Sequence, residues 1–131
     1  MFLVSGFERK LDQVNEKILI VENDISVSSV MEDILTVQGQ IPHCVNTCGE
    51  ALKLIEKEDF DLITLDWHLR DMSGSEFLSR LASSSSTIPV IVITGDRDIE
   101  NYFGQVRRVV EKPFSIEELL EAINTAIESQ P

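Results

Sequence analysis

The amino-acid sequence predicts an α/β domain in which helices cover both faces of a parallel β-sheet. Five short apolar runs rich in β-branched residues alternate with segments whose apolar residues recur at helical spacing. The runs do not alternate strictly between apolar and polar residues, which is typical of strands that are buried on both faces. Strands that alternate with helices form parallel sheets through right-handed crossovers, so we expect all the strand C-termini at one edge.

The composition fits one soluble domain. A chain of 131 residues suits a single domain that can bury a core without disulfides. The excess of 23 acidic over 11 basic residues gives a formal charge of −12, which argues against direct binding to nucleic acid or to anionic membrane. No apolar stretch approaches the roughly 20 residues that span a bilayer, and no signal peptide is visible. The sequence therefore predicts a cytoplasmic protein.

The five predicted strands coincide with the apolar runs. They cover residues 18–21, 41–45, 60–65, 88–93 and 106–110. Each run is four to six residues long, as is usual for a strand, and the first, third, fourth and fifth end at a polar or charged residue.

Helical patterns lie between most of these runs. The predicted apolar faces comprise Val27, Val30, Met31, Ile34 and Leu35, with Gly39 as the C-terminal cap; Ala51, Leu52 and Ile55; Phe77, Leu78 and Leu81; and Leu119, Leu120, Ile123 and Ile127. Ser115 and Glu118 form a capping box before the last helix. Residues 1–16 fall outside the alternation, and their pattern fits either a short amphipathic helix or a frayed extension.

Chemically reactive side chains collect where the strands end. They are Glu22, Asn23 and Asp24 after the first strand, Asp66 after the third, Thr94 after the fourth and Lys112 after the fifth. Clustered carboxylates repel one another unless a cation compensates them, and hard oxygen ligands suit Mg²⁺. A carboxylate nucleophile can form an aspartyl phosphate, for which Lys112 and Thr94 supply a positive charge and a hydroxyl donor. We therefore expect Glu22, Asp66, Thr94 and Lys112 to converge on one cation-and-phosphate pocket.

These residues lie in segments that resemble the receiver domain of two-component response regulators. The matching segments are Lys17 to Asp24, Asp61 to Asp66 with Met72 to Gly74, Ile88 to Thr94, and Glu111 to Phe114. The resemblance covers roughly residues 17–129, which leaves residues 1–16 as an N-terminal extension. It implies a flavodoxin-like, doubly wound sheet of five parallel strands with helices on both faces.

The resemblance also implies a role for each residue of the constellation. Asp66 would accept the phosphoryl group, Thr94 would be the switch hydroxyl, and Lys112 would contact the phosphate. Mg²⁺ or Mn²⁺ would be held by Glu22, Asn23, Asp66 and the backbone carbonyl of His68. A sensor histidine kinase or a phosphotransfer protein would donate the phosphoryl group, and a downstream protein partner or output domain, or a homodimer, would receive the signal. Such a domain is not an enzyme beyond its own phosphotransfer and dephosphorylation.

Three positions and one spacing depart from the family pattern. Asn23 stands where the family usually has an aspartate, so we expect weaker Mg²⁺ binding. Arg70 replaces a frequent proline, so we expect a more mobile loop after Asp66. Only 18 positions separate Thr94 from Lys112, roughly one helical turn fewer than usual, so the fourth of the five helices, expected at 96–104, must be short or irregular. Val109 replaces the aromatic switch residue, so the signal is expected to use another face, such as the first helix or residues 1–16.

Two alternative functions follow from these departures and from the fold class. The first is a pseudo-receiver, a protein-interaction module that acts without phosphorylation; Asn23 and the short 96–104 segment favour it. The second is an enzyme of the same architecture. A flavodoxin needs a Ser/Thr/Gly-rich phosphate loop after the first strand, where this chain is acidic. A phosphatase of the haloacid dehalogenase type needs a second aspartate two residues after the nucleophile, where this chain has His68.

Overall fold

The computed structural model describes residues 15–84, 86–95 and 105–128. The strands are β1 (Lys17–Val21), β2 (Ile41–Val45), β3 (Leu62–Asp66), β4 (Val90–Thr94) and β5 (Val106–Glu111). The described helices are α1 (Ile25–Val37), α2 (Cys48–Lys57), α3 (Gly74–Ser83) and α4 (Ile116–Glu128). The helix expected at 96–104, and the possible amphipathic helix before residue 15, lie outside the described residues.

The five strands form one parallel sheet in the order β2-β1-β3-β4-β5. This arrangement confirms the predicted α/β, flavodoxin-like architecture. The strands β3 and β4 are buried along their whole length, and β1 is buried from its second residue, whereas the edge strands β2 and β5 are partly exposed. The chain passes from β1 outwards to β2 and then back to β3 on the other side of β1. This reversal opens a crevice at the carboxyl ends of β1 and β3, where open α/β sheets bind their ligands.

Helices pack on both faces of the sheet, as predicted. Successive residues of a strand point to opposite faces, so Ile18 and Ile20 pack under α1 and α4, and Leu19 and Val21 pack under α2 and α3. One core is completed by Met31, Leu35, Leu119 and Ile123, and the other by Ala51, Ile63, Phe77 and Leu81. The two cores share the three central strands and so fix those strand ends in space.

The helix ends follow the capping signals of the sequence. The Asp24 carboxylate accepts the Ser26 N–H at 2.9 Å and begins α1. At the start of α4, the Ser115 N–H donates to Glu118 Oε1 at 3.1 Å and the Glu118 N–H donates to Ser115 Oγ at 3.0 Å, which confirms the predicted capping box. Gly39 has a φ of 88° directly after the C-terminal cap of α1, a conformation that favours glycine.

Two details differ from the sequence expectations. The strands β3 and β4 each begin two residues later than predicted, in β4 because Pro89 has no N–H to donate to the sheet. Val30 was expected on the buried face of α1 but is 53% exposed, because α1 faces the sheet through Ser28, Met31 and Leu35. Among the described helices, none has the length and apolar character needed to cross a membrane.

Candidate functional site

Three charged side chains meet at the carboxyl edge of the sheet. Glu22 follows β1, Asp66 is the last residue of the adjacent β3, and Lys112 follows β5. Lys112 Nζ lies 3.6 Å from Glu22 Oε1 and 3.7 Å from Asp66 Oδ1. One ammonium group therefore faces both carboxylates, at distances longer than the 2.7–2.9 Å typical of a charge-assisted hydrogen bond.

Thr94 reaches the same edge from β4. It is the last residue of that strand and is almost fully buried. The residue before it, Ile93, is paired with Asp66 in the β3–β4 register, and the Ile93 carbonyl accepts the Trp67 N–H at 3.0 Å. The Lys112 N–H donates to the Thr94 carbonyl at 2.8 Å. The backbone thus brings Asp66, Thr94 and Lys112 to adjacent strand ends.

Glu22 is the most perturbed group of the site. Its side chain is only 2% exposed, and its Oε1 atom is buried without a hydrogen-bond donor in the described residues. Burial raises the pKa of Glu22 to about 7, and the Asp66 carboxylate acts in the same direction. A hydrogen bond from the Asp24 N–H to Glu22 Oε2, 3.1 Å long, and the charge of Lys112 oppose that rise in the pKa. A buried carboxylate oxygen without a donor is an open acceptor for a cation.

The remaining predicted metal ligands differ in how they are placed. Asn23 is exposed on the turn after Glu22, and the neighbouring Asp24 uses its carboxylate to cap α1. The His68 N–H donates to Asp66 Oδ1 at 3.2 Å, which holds the His68 backbone beside the carboxylate. In the part of the chain that the structure describes, no three His, Cys, Asp or Glu side chains form a metal-binding group. All four predicted ligands offer oxygen, the donor atom that a hard cation prefers, through two carboxylates, one amide and one carbonyl.

The loop of residues 67–73, between Asp66 and α3, makes contacts that were not predicted from the sequence. The Asp71 carboxylate accepts the Cys48 N–H at 3.1 Å and the Gly49 N–H at 2.9 Å, at the start of α2. The Trp67 ring lies directly against Gly74, leaving no space for a Cβ atom there. An aspartate within a loop has the sequence signature of an ordinary turn residue, so no local signal distinguished Asp71.

Comparisons with known proteins agree with this architecture. The family model described as "Response regulator receiver domain" matches residues 18–124. A probable transcriptional regulator, ycf29 of Pyropia yezoensis, is 36% identical over 118 residues, which cover 85% of this chain and 53% of that protein. The chain therefore spans about half the length of that relative.

Solved structures show the same fold. A receiver domain protein (CheY-like) from Methanospirillum hungatei JF-1 is 30% identical, with a TM-score of 0.80 over 87% of this chain and 94% of that chain. The receiver domain of response regulator 1452 from Francisella is 25% identical, with a TM-score of 0.79 over 87% of this chain and 98% of that chain. The chain belongs to the response regulator receiver domain family.

Proposed function

We propose that the chain accepts a phosphoryl group on Asp66 from a phosphohistidine of a sensor histidine kinase or a phosphotransfer protein. An Asp66 carboxylate oxygen attacks phosphorus, the new O–P bond forms, and the N–P bond breaks with its electron pair going to the imidazole nitrogen. The observation that carries this proposal is that Lys112 Nζ lies 3.7 Å from the buried Asp66 carboxylate and 3.6 Å from a Glu22 oxygen that has no hydrogen-bond donor among the described residues.

The surrounding residues have separate roles in the proposed transfer. Lys112 and the Thr94 hydroxyl bind oxygens of the transferred group, where preformed donors stabilise developing charge. Glu22, Asn23, Asp66 and the His68 carbonyl would hold Mg²⁺ or Mn²⁺. When bound, the divalent cation neutralises part of the charge on the phosphoryl oxygens.

The phosphodonor must approach the same edge of the sheet, and apolar residues are exposed there. Ile25 begins α1 directly after Asp24 and is 75% exposed, and Ile116 begins α4 and is 52% exposed. Between these helices Val27, Val30, Met31, Phe114 and Ser26 line a shallow apolar groove. We propose that the donor protein docks on this surface, because Ile25 and Ile116 begin their helices at the same edge of the sheet as Asp66.

Phosphorylation with a small acyl-phosphate donor and Mg²⁺ tests the acceptor. Intact mass should show one added phosphate on the native chain and none on Asp66→Ala. Asp59→Ala is the control, because Asp59 is exposed at the opposite edge of the sheet, and it should gain one phosphate. A phosphate that persists in Asp66→Ala would contradict the assignment.

A pseudo-receiver that binds partners without phosphate is the second candidate, favoured by Asn23 at a metal position. Beryllofluoride, a phosphoryl analogue, separates the two functions when it is added with Mg²⁺. Trp67 is the only tryptophan of the chain and follows Asp66 directly, so its emission reports on the site. A receiver should change its emission at millimolar Mg²⁺, and Asp66→Ala should not. An unchanged native spectrum would support the pseudo-receiver.

The partner that receives the signal is also a proposal. A similar transcriptional regulator is about twice as long as the shared region, so an output domain is one candidate partner, and a separate protein or a second copy of the chain are the others. Sedimentation with and without beryllofluoride tests the homodimer, which predicts a higher mass in the beryllofluoride sample.

A further inference from the structure

The loop that carries His68 is fixed at both of its ends. At its start, the His68 N–H donates to Asp66 Oδ1 at 3.2 Å. At its end, Ser73 Oγ accepts the Glu76 N–H at 3.0 Å and begins α3. Between these points Leu69 is buried in the core under α2 and α3. Because residues 67–73 include no proline ring to restrict the backbone, the position of this loop depends on its hydrogen bonds and packing.

Asp71 supplies a contact between the loop and a different helix. Its carboxylate accepts the first two free N–H groups of α2, from Cys48 at 3.1 Å and from Gly49 at 2.9 Å. Burial raises the pKa of Asp71, but the hydrogen bonds from Gly49 and Cys48 outweigh burial, so the pKa lies below its ordinary value. Hydrogen bonds to an ionised acceptor are short and strong, and a negative charge is favoured at a helix N-terminus.

The helix α2, whose N–H groups donate to Asp71, is itself packed against the sheet. Cys48 and Ala51 of α2 are fully buried against the sheet. The Asp71 carboxylate therefore ties the loop to a fixed point of the fold. His68 lies three residues before Asp71, so displacement of this tether would move the His68 backbone away from Asp66.

We propose that Asp71 is a positioning residue for the phosphorylation site, which holds the loop so that the His68 backbone stays beside Asp66. This inference rests on the proposed function, because the His68 carbonyl is a proposed ligand of the cation. Groups that orient metal ligands from outside the ligand shell usually change metal affinity strongly when they are removed. Asp71 acts in this way through the backbone.

A matched pair of variants separates positioning from general stability. Asp71→Ala removes the tether from the first turn of α2. Thr47→Ala removes another hydrogen bond of the same turn, in which Thr47 Oγ1 accepts the Glu50 N–H at 3.1 Å, without touching the loop. Both variants lose capping of α2, and only the first frees the loop. Asp71→Asn keeps one acceptor oxygen and is the conservative rescue.

The metal-free protein supplies the first readout. Backbone NMR order parameters at residues 68–72 should fall from about 0.85 to below about 0.6 in Asp71→Ala. Thr47→Ala should keep the native values, and Asp71→Asn should lie between them. A loop that stays rigid in Asp71→Ala overturns the inference, whatever the phosphate chemistry of the site.

Titration with Mg²⁺ alone, followed by Trp67 emission, is the second readout. The dissociation constant should rise about 10-fold in Asp71→Ala. It should stay within about twofold of native in Thr47→Ala, and Asp71→Asn should recover most of the loss. Equal weakening in Asp71→Ala and Thr47→Ala would assign Asp71 a purely structural role and overturn the inference. A native chain that gains no phosphate on Asp66 would overturn the proposed function instead, while the order parameters still decide the role of Asp71.

Discussion

At the scale of single residues, Glu22 provides the electrostatic argument for the proposed cation. A carboxylate that is 2% exposed and has one oxygen without a donor in the described part of the chain is costly to ionise, and Lys112 compensates it only from 3.6 Å. Mg²⁺ binding would restore the missing partner. The proposed cation site therefore includes a carboxylate with a perturbed pKa, as functional sites often do.

The raised pKa of Glu22 predicts how stability depends on pH without metal. Its folded pKa of about 7 lies above the ordinary value of 4.5, so the folded state binds the proton more tightly than the unfolded state. The contribution of Glu22 to stability is therefore fully present below pH 4.5, and about 3 kcal/mol of it is lost as the pH rises from 4.5 to about 7. Glu22→Gln cannot ionise, so the native chain should lose stability relative to it over that window.

Urea unfolding in the presence of a chelator measures this difference. The free energy of unfolding of the native chain and of Glu22→Gln should be compared at several values between pH 4.5 and 8. Curves that run parallel across this range would show that burial of Glu22 carries no ionisation cost.

The residues of the site were only partly accessible to sequence reasoning. Glu22, Asp66 and Lys112 were placed together correctly, because parallel topology brings the ends of buried strands to one edge. The exposure of Asn23 and the hydrogen bonds of Asp71 were not predicted. Hydrophobic periodicity reports which face of an element is buried, and it gives no direction for side chains in turns.

At the scale of elements, burial begins at an earlier residue than sheet hydrogen bonding at the start of β3 and of β4. The runs at 60–65 and 88–93 are apolar from their first residues, yet β3 and β4 begin at Leu62 and Val90. Phe60 and Ile88 pack against the core before the sheet pairing starts. The apolar pattern predicted the burial of these residues, and the hydrogen-bonded ladder begins where the backbone donors permit it.

A second prediction concerns the contact between Trp67 and Gly74, where the loop of residues 67–73 meets α3. The Trp67 ring occupies the place where a side chain at Gly74 would begin, so Gly74→Ala must displace the ring. We expect a loss of about 1–3 kcal/mol in unfolding free energy, as for other overpacked sites, with a red shift of Trp67 emission. Chemical unfolding followed by fluorescence measures both effects.

Gly49→Ala is the matched control, since Gly49 also lies in the first turn of a helix. A Cβ there would meet only Asp71 Oδ2 at 3.5 Å, an ordinary contact distance. Its stability should therefore change by less than about 1 kcal/mol, with native Trp67 emission. Equal losses in the two variants would show that the Trp67 contact is not the cause.

At the scale of the whole molecule, the crevice at the carboxyl ends of β1 and β3 connects the helices on the two faces of the sheet. Glu22 leads into α1 and Lys112 leads towards α4, and these two helices cover one face of the sheet. The loop after Asp66 leads into α3 and is bound to α2 on the other face. A ligand at Asp66 therefore contacts segments from both layers, and we expect the whole domain to be stabilised when it binds.

Thermal unfolding with Mg²⁺ tests that expectation. A ligand at ten times its dissociation constant adds about 1.4 kcal/mol to the unfolding free energy of a protein that binds it only when folded. For a domain of this size the midpoint should rise by about 5 °C. Because the net charge is −12, any salt also reduces self-repulsion, so the comparison needs KCl at equal ionic strength. The native chain should gain the additional rise from Mg²⁺, whereas Asp66→Ala should respond to Mg²⁺ only as it does to KCl. An equal gain in both proteins would place the bound cations on the general acidic surface and away from Asp66.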